Sequence, residues 1–285
     1  MKRLIIDGNN LVHRAYWVAS NQPFYNEYFH IYLFLTSIKN YTSQYQADIV
    51  YCAWDEKVDY TVNKRKELLE EYKGTRDKER NKEVHSKNYI IKELLSYLGI
   101  QSVYPRSYEA DDVMCILNHM FPDDEKIIVT VDKDMCQLIS DKTVVYDPIR
   151  KTEFNISNFE DKIGYKLKDF VSLKALTGDK SDNIPGIKGF GKVKLSKFFN
   201  GEYELTVDEK IQFENNLKLV DLSLTLTDKE ETDYVASQVQ VDIVKNFDRF
   251  KERCSEFNFN QILKNIDTWY GLFFMRSKLN DLLFS

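Results

Sequence analysis

Residues 1–10, MKRLIIDGNN, set a short apolar run, Leu4-Ile5-Ile6, directly before Asp7 and a Gly-Asn-Asn turn. Such a run with polar bounds reads as a strand buried on both faces, and the turn leads into a helical pattern over residues 11–19. The same signature returns twice: residues 49–54 end in Asp55, and residues 126–131 end in Asp132. A second helical pattern, from about residue 27 to residue 45, separates the first two strands. Strands alternating with helices predict an α/β fold, a parallel sheet with right-handed crossovers whose site lies beyond the carboxyl ends of the strands. All three aspartates fall there. Residues 144–146 and 153–154 read as shorter strands about a turn at Pro148.

With 285 residues, 43% apolar and 14% aromatic, the chain can bury a full core. It has no run of eighteen apolar residues for a membrane span, and Asp7 interrupts the N-terminal apolar run too early for a signal peptide, so a cytoplasmic location is expected. Cys52, Cys115, Cys136 and Cys254 are scattered without C-x-x-C pairs and read as buried thiols. The histidines, His13, His30, His85 and His119, form no motif. The net charge of −5 hides an asymmetry: residues 61–92 hold ten Lys or Arg against six Asp or Glu, and residues 183–201 hold four lysines and no acid. Two basic segments beside an acidic remainder suit a protein that grips a polyanion while holding cations, although charge runs are more often plain solvated faces.

The acids follow a pattern. Glu109, Asp111 and Asp112 crowd the start of an apolar helix over residues 113–121, more than capping requires. Asp132 and Asp134 follow the third strand, and Asp179 and Asp182 stand in LTGDKSDNIPGIKGFGKVKLSKFF, residues 176–199. With Asp7 and Asp55 this makes nine carboxylates, most of them converging on one rim, where they would repel unless cations lie between them. Oxygen-only ligands select Mg²⁺ or Mn²⁺, and two such ions roughly 4 Å apart can activate a water and stabilise the leaving oxygen of a phosphoryl displacement. Phosphodiester hydrolysis is therefore the expected chemistry. Lys73 and Arg76 would offer charge to its transition state and Tyr72 would stack on a base. In the last stretch Gly189-Phe190-Gly191 opens a helix flanked by Lys188, Lys192, Lys194 and Lys197, an arrangement that lets backbone N–H groups approach a phosphate; a lone G-x-G is more often an ordinary turn.

Five stretches in order, DGNNLVHRAY (7–16), RKELLEEYKGTR (65–76), YEADDV (108–113), DKDMCQLI (132–139) and GDKSDNIPGIKGFG (178–191), resemble the motifs of the 5′-nuclease family, which includes flap endonucleases and the 5′-nuclease domain of bacterial DNA polymerase I. The resemblance covers residues 1 to about 225. It implies a PIN-like or Rossmann-like core (1–165) with a helical arch (56–100) and a helical part (166–285) carrying a helix-three-turn-helix. It also implies a free-standing two-metal enzyme that cuts branched DNA near single-strand/double-strand junctions and removes RNA primers. Asp55, Glu109, Asp111 and Asp112, with Asp7 behind them, would hold one ion, and Asp132, Asp134, Asp179 and Asp182 the other. Catalytic roles are expected for Lys73, Arg76, Asp7, Asp55 and Asp111. Substrate contacts are expected from Arg65, Tyr72, Lys188, Gly189, Gly191, Lys192 and Lys194, with K⁺ at the three-turn element. Val193 stands where many members carry a lysine.

Two other readings compete. One is a branched-DNA binding protein that keeps the fold without cutting; the other is a PIN-type ribonuclease, a shorter family that lacks the three-turn element. The partners expected are flapped or branched DNA and RNA/DNA hybrid ends, for a monomer whose apolar tail, residues 279–285, either packs on its own domain or docks on a replication protein.

Overall fold

The computed structural model describes residues 1–23, 26–55, 63–74 and 78–275. Arg76 and the tail at 279–285 lie outside the described residues. Six strands, β1 (Lys2–Asp7), β2 (Ile49–Ala53), β3 (Gln101–Val103), β4 (Glu125–Val129), β5 (Thr143–Asp147) and β6 (Thr152–Phe154), form one sheet in the order β3-β2-β1-β4-β5-β6. All neighbours are parallel except β5 and β6. The chain order reverses between β1 and β4, and the crevice of such a sheet opens at that point. In register, Asp7 pairs with Ala53 and Ile6 with Val129, so the acids that follow these strands are brought to one rim.

Alternation along the strands sorts the core into two faces. Leu4, Ile6, Val50, Cys52, Ile127 and Val129 point to one; Ile5, Tyr51, Ala53 and Ile128 point to the other. The first face is covered by α1 (Gly8–Ser20), α2 (Phe29–Tyr45) and, beyond the short α3 (Lys64–Leu68) and α4 (Lys78–His85), by α5 (Asn88–Tyr97). The second is covered by α6 (Ala110–Met120), α7 (Phe159–Ile163) and α8 (Phe170–Thr177). The basic excursion is thus shorter than the expected arch at 56–100. Ile90, Ile91, Leu94 and Leu95 of α5 recur at helical spacing and are buried, which makes this helix part of the core.

The remaining helices are α9 (Lys192–Phe199), α10 (Val207–Val220), α11 (Lys229–Gln238), α12 (Phe247–Glu256), α13 (Asn260–Lys264) and α14 (Ile266–Tyr270). The segments that follow α10 pack on the two faces of the sheet. Leu222 and Val235 join the face of α6, while Phe250, Cys254, Phe259, Ile262, Trp269 and Phe273 join the cluster around Leu4 and Ile6. Two smaller clusters, around Tyr72, Ala175 and Leu219 and around Leu176, Ile187, Phe190 and Leu195, fasten the segment between α8 and α9 to α8 and α10. No helix among the described residues is long and apolar enough to cross a membrane.

One polar side chain in the first face sets an acid limit on the fold. His30 on α2 is 4% exposed and lies edge-on to the Tyr16 ring. Burial, helped by the nearby Lys87 charge, pushes its pKa down from the usual 6.5 to about 4. Below pH 6.5 the unfolded chain takes up this proton more readily than the folded one, so stability that is complete above 6.5 is lost as the pH falls towards 4. Between pH 7 and pH 5 the wild-type protein is expected to lose about 2 kcal/mol more unfolding free energy than His30→Leu, read from urea midpoints at the two pH values. Equal losses would remove His30 as the cause.

Candidate active site

Asp7 ends β1 and caps α1. Its Oδ1 accepts from the Asn10 N–H at 2.9 Å and its Oδ2 from the Thr130 hydroxyl at 2.8 Å. Two hydrogen bonds do not offset its surroundings: burial, with the Asp55 and Asp132 charges behind it, raises its pKa to about 7. Asp55, just past β2, spans two helix starts. One oxygen accepts from the Ala110 N–H at the head of α6 and the other from the Asn9 amide at the head of α1, both at 2.8 Å. Gly8 permits this junction, since a Cβ there would stand 2.8 Å from the Ala53 carbonyl and the Cys52 sulfur. Asp111, on the first turn of α6, is half-buried. Burial first, then Asp132, Asp7 and Glu109, hold its pKa well above the usual carboxylate range, against the pull of Lys73.

Beside it, Glu109 accepts from the Lys73 ammonium at 2.7 Å and the Tyr72 hydroxyl at 2.9 Å. Burial works against its charge, but Lys73 and Arg65 outweigh that and lower its pKa. The turn carrying Lys73 is fixed from below. Its N–H donates to the Asp182 carbonyl at 3.2 Å, and the Asn183 amide donates to the Glu71 carbonyl at 2.9 Å. Lys73 and Asn183 both take left-handed backbone angles, φ 53° and 59°.

Across the crevice, Asp132 caps the turn after β4 by accepting the Asp134 N–H at 2.8 Å. Asp134 and Asp179 share one cation, Lys174 of α8, whose ammonium is 2.8 Å from Asp134 and hydrogen-bonded to Asp179. Burial and Asp132 raise the pKa of Asp134 to about 6; burial also disfavours charge on Asp179, but Lys174 and Ser181 overcome it and lower that pKa to about 2. Asp179 sits at the base of a tight loop closed by reciprocal backbone hydrogen bonds with Ile184. Gly178 and Gly186 make the loop possible, because a Cβ on either would come within 2.4 Å of backbone atoms of the opposite limb. Asp182 leaves the loop towards Tyr72 and Lys73, 3.3 Å and 3.9 Å away.

Eight of the nine predicted carboxylates thus border one crevice, and the ninth does not. Asp112 is 0% exposed and points away from the rim. Arg65 grips both its oxygens, at 2.5 and 2.7 Å, and the Thr225 hydroxyl donates to it as well. Its spacing from Asp111 places it on the inner side of α6, so it is a structural anion. Arg65 is corrected with it: 4% exposed, it also donates to the Leu219 carbonyl at 3.0 Å and is closed to substrate. Tyr72, 3% exposed with its hydroxyl on Glu109, is packed away from any stacking base. Between α8 and α9 Gly189 has φ 84°, Gly191 immediately precedes α9 with open space where a Cβ would stand, and Lys188 and Lys192 are exposed, as is Val193 at 73%. Lys194 turns inward to Glu209 and over the Phe190 and Tyr203 rings, and so differs from the phosphate contact expected of it.

The sequence reading missed Lys174, Thr130 and the Arg65–Asp112 pair. A lysine five residues before an aspartate carries no signal until a helix end and a loop bring the two together. Among the described residues no group of three carboxylate, histidine or cysteine side chains stands arranged to hold an ion in common. The oxygens are instead shared out to Lys73, Lys174 and backbone N–H groups. The donor set nevertheless suits hard divalent cations: it is all oxygen, and Asp7, Asp111 and Asp134 have pKa values raised by burial first and by neighbouring carboxylates after it.

Residues 2–164 match the family model for the 5′-3′ exonuclease N-terminal resolvase-like domain. The 5′-3′ exonuclease of Mycoplasmopsis pulmonis is 35% identical over 203 residues, covering 70% of this chain and 66% of that one. DNA polymerase I of Caldicellulosiruptor bescii is 32% identical over 210 residues, 69% of this chain but 24% of that longer protein. Among solved structures, the bacteriophage T5 flap endonuclease in a pseudo-enzyme–product complex with DNA and metal ions aligns over 90% of this chain and 99% of its own, with TM-score 0.65 and 20% identity, a likeness of fold.

Two neighbouring acids on α6 separate the roles. Without divalent ions at pH 8, Asp112→Ala is expected to lower the unfolding free energy by about 3–5 kcal/mol, because it strands the Arg65 guanidinium. Asp111→Asn, which relieves repulsion, is expected to raise it by roughly 1 kcal/mol. Urea titration of both variants in chelator checks this; matching effects would contradict the division.

Proposed function

This chain belongs to the 5′-3′ exonuclease family, and we propose that it hydrolyses DNA phosphodiester bonds near the junction of a single strand with a duplex, as a structure-specific 5′ nuclease. The observation that carries this reading is the crevice between β1 and β4, where Asp7, Asp55, Glu109, Asp111 and Asp132 face one another with raised pKa values at Asp7 and Asp111 and a lysine at the edge. Asp7, Asp55, Glu109 and Asp111 supply oxygens for one Mg²⁺, and Asp132, Asp134, Asp179 and Asp182 for a second, with Mn²⁺ able to replace either. Bound ions of this kind supply a nucleophilic water at neutral pH and neutralise charge on the phosphate.

The chain's own residues position the rest. Lys73, whose ammonium lies on Glu109, meets a non-bridging phosphate oxygen, and Tyr72 aims Glu109 at the site by its hydroxyl bond. Lys174 holds Asp134 and Asp179 close together in the free protein and favours the charge on both. The duplex lies along residues 186–192, where Lys188, Lys192 and the amides at the head of α9 contact successive phosphates; K⁺ at this turn and a role for Arg76 belong to the same proposal. RNA primers at 5′ ends would be among the substrates, and residues 279–285 would offer the site for replication proteins.

A 5′-labelled flap substrate with Mg²⁺ tests the reading. Wild type is expected to cut near the junction, and Asp111→Asn to lose at least about 10³-fold in rate while still binding. A wild-type protein that binds the flap without cutting it would move the assignment to a non-catalytic branched-DNA binder. Lys73→Ala is expected to lower kcat roughly 10²-fold with duplex affinity nearly unchanged, measured by single-turnover cleavage beside anisotropy; equal losses in both would strip Lys73 of its catalytic role.

A further inference from the structure

We propose that His13 and His85 form a binding site for zinc or a similar borderline divalent ion, separate from the carboxylate rim, that fastens the basic helix α4 to α1. The two residues lie 72 positions apart and meet only in the fold. Their Nε2 atoms are 3.1 Å apart, the ring centroids 4.8 Å apart, and the ring planes cross at 83°. An imidazole centroid lies about 1.2 Å behind its Nε2, so rings meeting head-on at that nitrogen separation would have centroids about 5.5 Å apart; the shorter value shows that the rings converge at an angle. Two imidazoles aimed at a common ion about 2.1 Å from each nitrogen reproduce both observed separations. Imidazole nitrogens favour zinc, copper and nickel over the Mg²⁺ that suits the rim.

The surroundings orient the His85 ring. Behind His85, the amide of Asn88, itself 2% exposed, is 3.0 Å from Nδ1. Turned so that its oxygen accepts the Nδ1 proton, this amide sets the tautomer whose Nε2 lone pair faces His13, the arrangement that ligating histidines use. Across the same seam Glu83 of α4 accepts from the Tyr16 hydroxyl of α1 at 2.6 Å, which adds negative charge near the ion. Val84, fully buried in the core, already seats the last turn of α4. The ion would thus tighten a contact between α1 and α4 that the fold already makes.

The test uses the full chain with Mg²⁺ in excess and zinc added at micromolar concentration. The wild-type protein is expected to take up one zinc ion per chain beyond those bound by His13→Gln or His85→Gln, and zinc is expected to slow tryptic cleavage after Lys82 about tenfold in the wild type alone. Tyr16→Phe, which keeps both imidazoles, should bind and be protected like the wild type. Nitrogen NMR of the unaltered protein gives a second reading, with zinc shifting the ring resonances of His13 and His85 but not those of His30 and His119. Equal zinc uptake by the glutamine variants, or unshifted His13 and His85 resonances at saturation, would overturn the proposal.

Discussion

Repulsion among carboxylates is the constraint around which this protein is built. A parallel sheet brings the ends of β1, β2 and β4 to one rim, and each strand ends at or near an aspartate. Left alone, such a rim would push the strand ends apart. The fold answers with cations from distant segments: Lys73 from the turn after α3 and Lys174 from α8. Amides and hydroxyls absorb more of the charge, as Asn9, Thr130 and the head of α6 do for Asp55 and Asp7. Three carboxyls keep raised pKa values even so. The site is held ready at a cost in stability that a bound dication would offset.

The buried pair of Arg65 and Asp112 does a different task. It lies behind the rim, where α3, α6 and the end of α10 meet, and Thr225 joins it from the next turn. A guanidinium with a bidentate carboxylate partner has one good geometry, and a wrong packing of α3 on α6 would leave two charges buried and unpaired. It therefore specifies how the turn bearing Tyr72 and Lys73 is presented to Glu109. Its contribution is to register more than to net stability.

Much of this was legible in the chain itself. The strand-then-acid signature gave β1, β2 and β4, the turn at Pro148 gave β5 and β6, and the acidic motifs marked the crevice. β3 escaped notice because three residues between a helix end and a loop show no periodicity. Asp111 and Asp112 could not be told apart, since facing rim or core is decided by the rotation of α6, which sequence spacing does not fix to one residue. Arg65, Tyr72 and Lys194 look like surface groups by type, and only tertiary packing turns them inward. The meeting of His13 with His85 is likewise a product of topology, absent from any local pattern.

The helices that follow residue 246 bear on how the molecule is made. Trp269 and Phe273 belong to the same apolar cluster as Leu4 and Ile6, so residues from both ends of the described chain build one core. During synthesis this cluster stays incomplete until the segment carrying Trp269 and Phe273 has left the ribosome. Pairings across so long a stretch of chain form slowly, and in that interval the unfinished part of the cluster is open to chaperones.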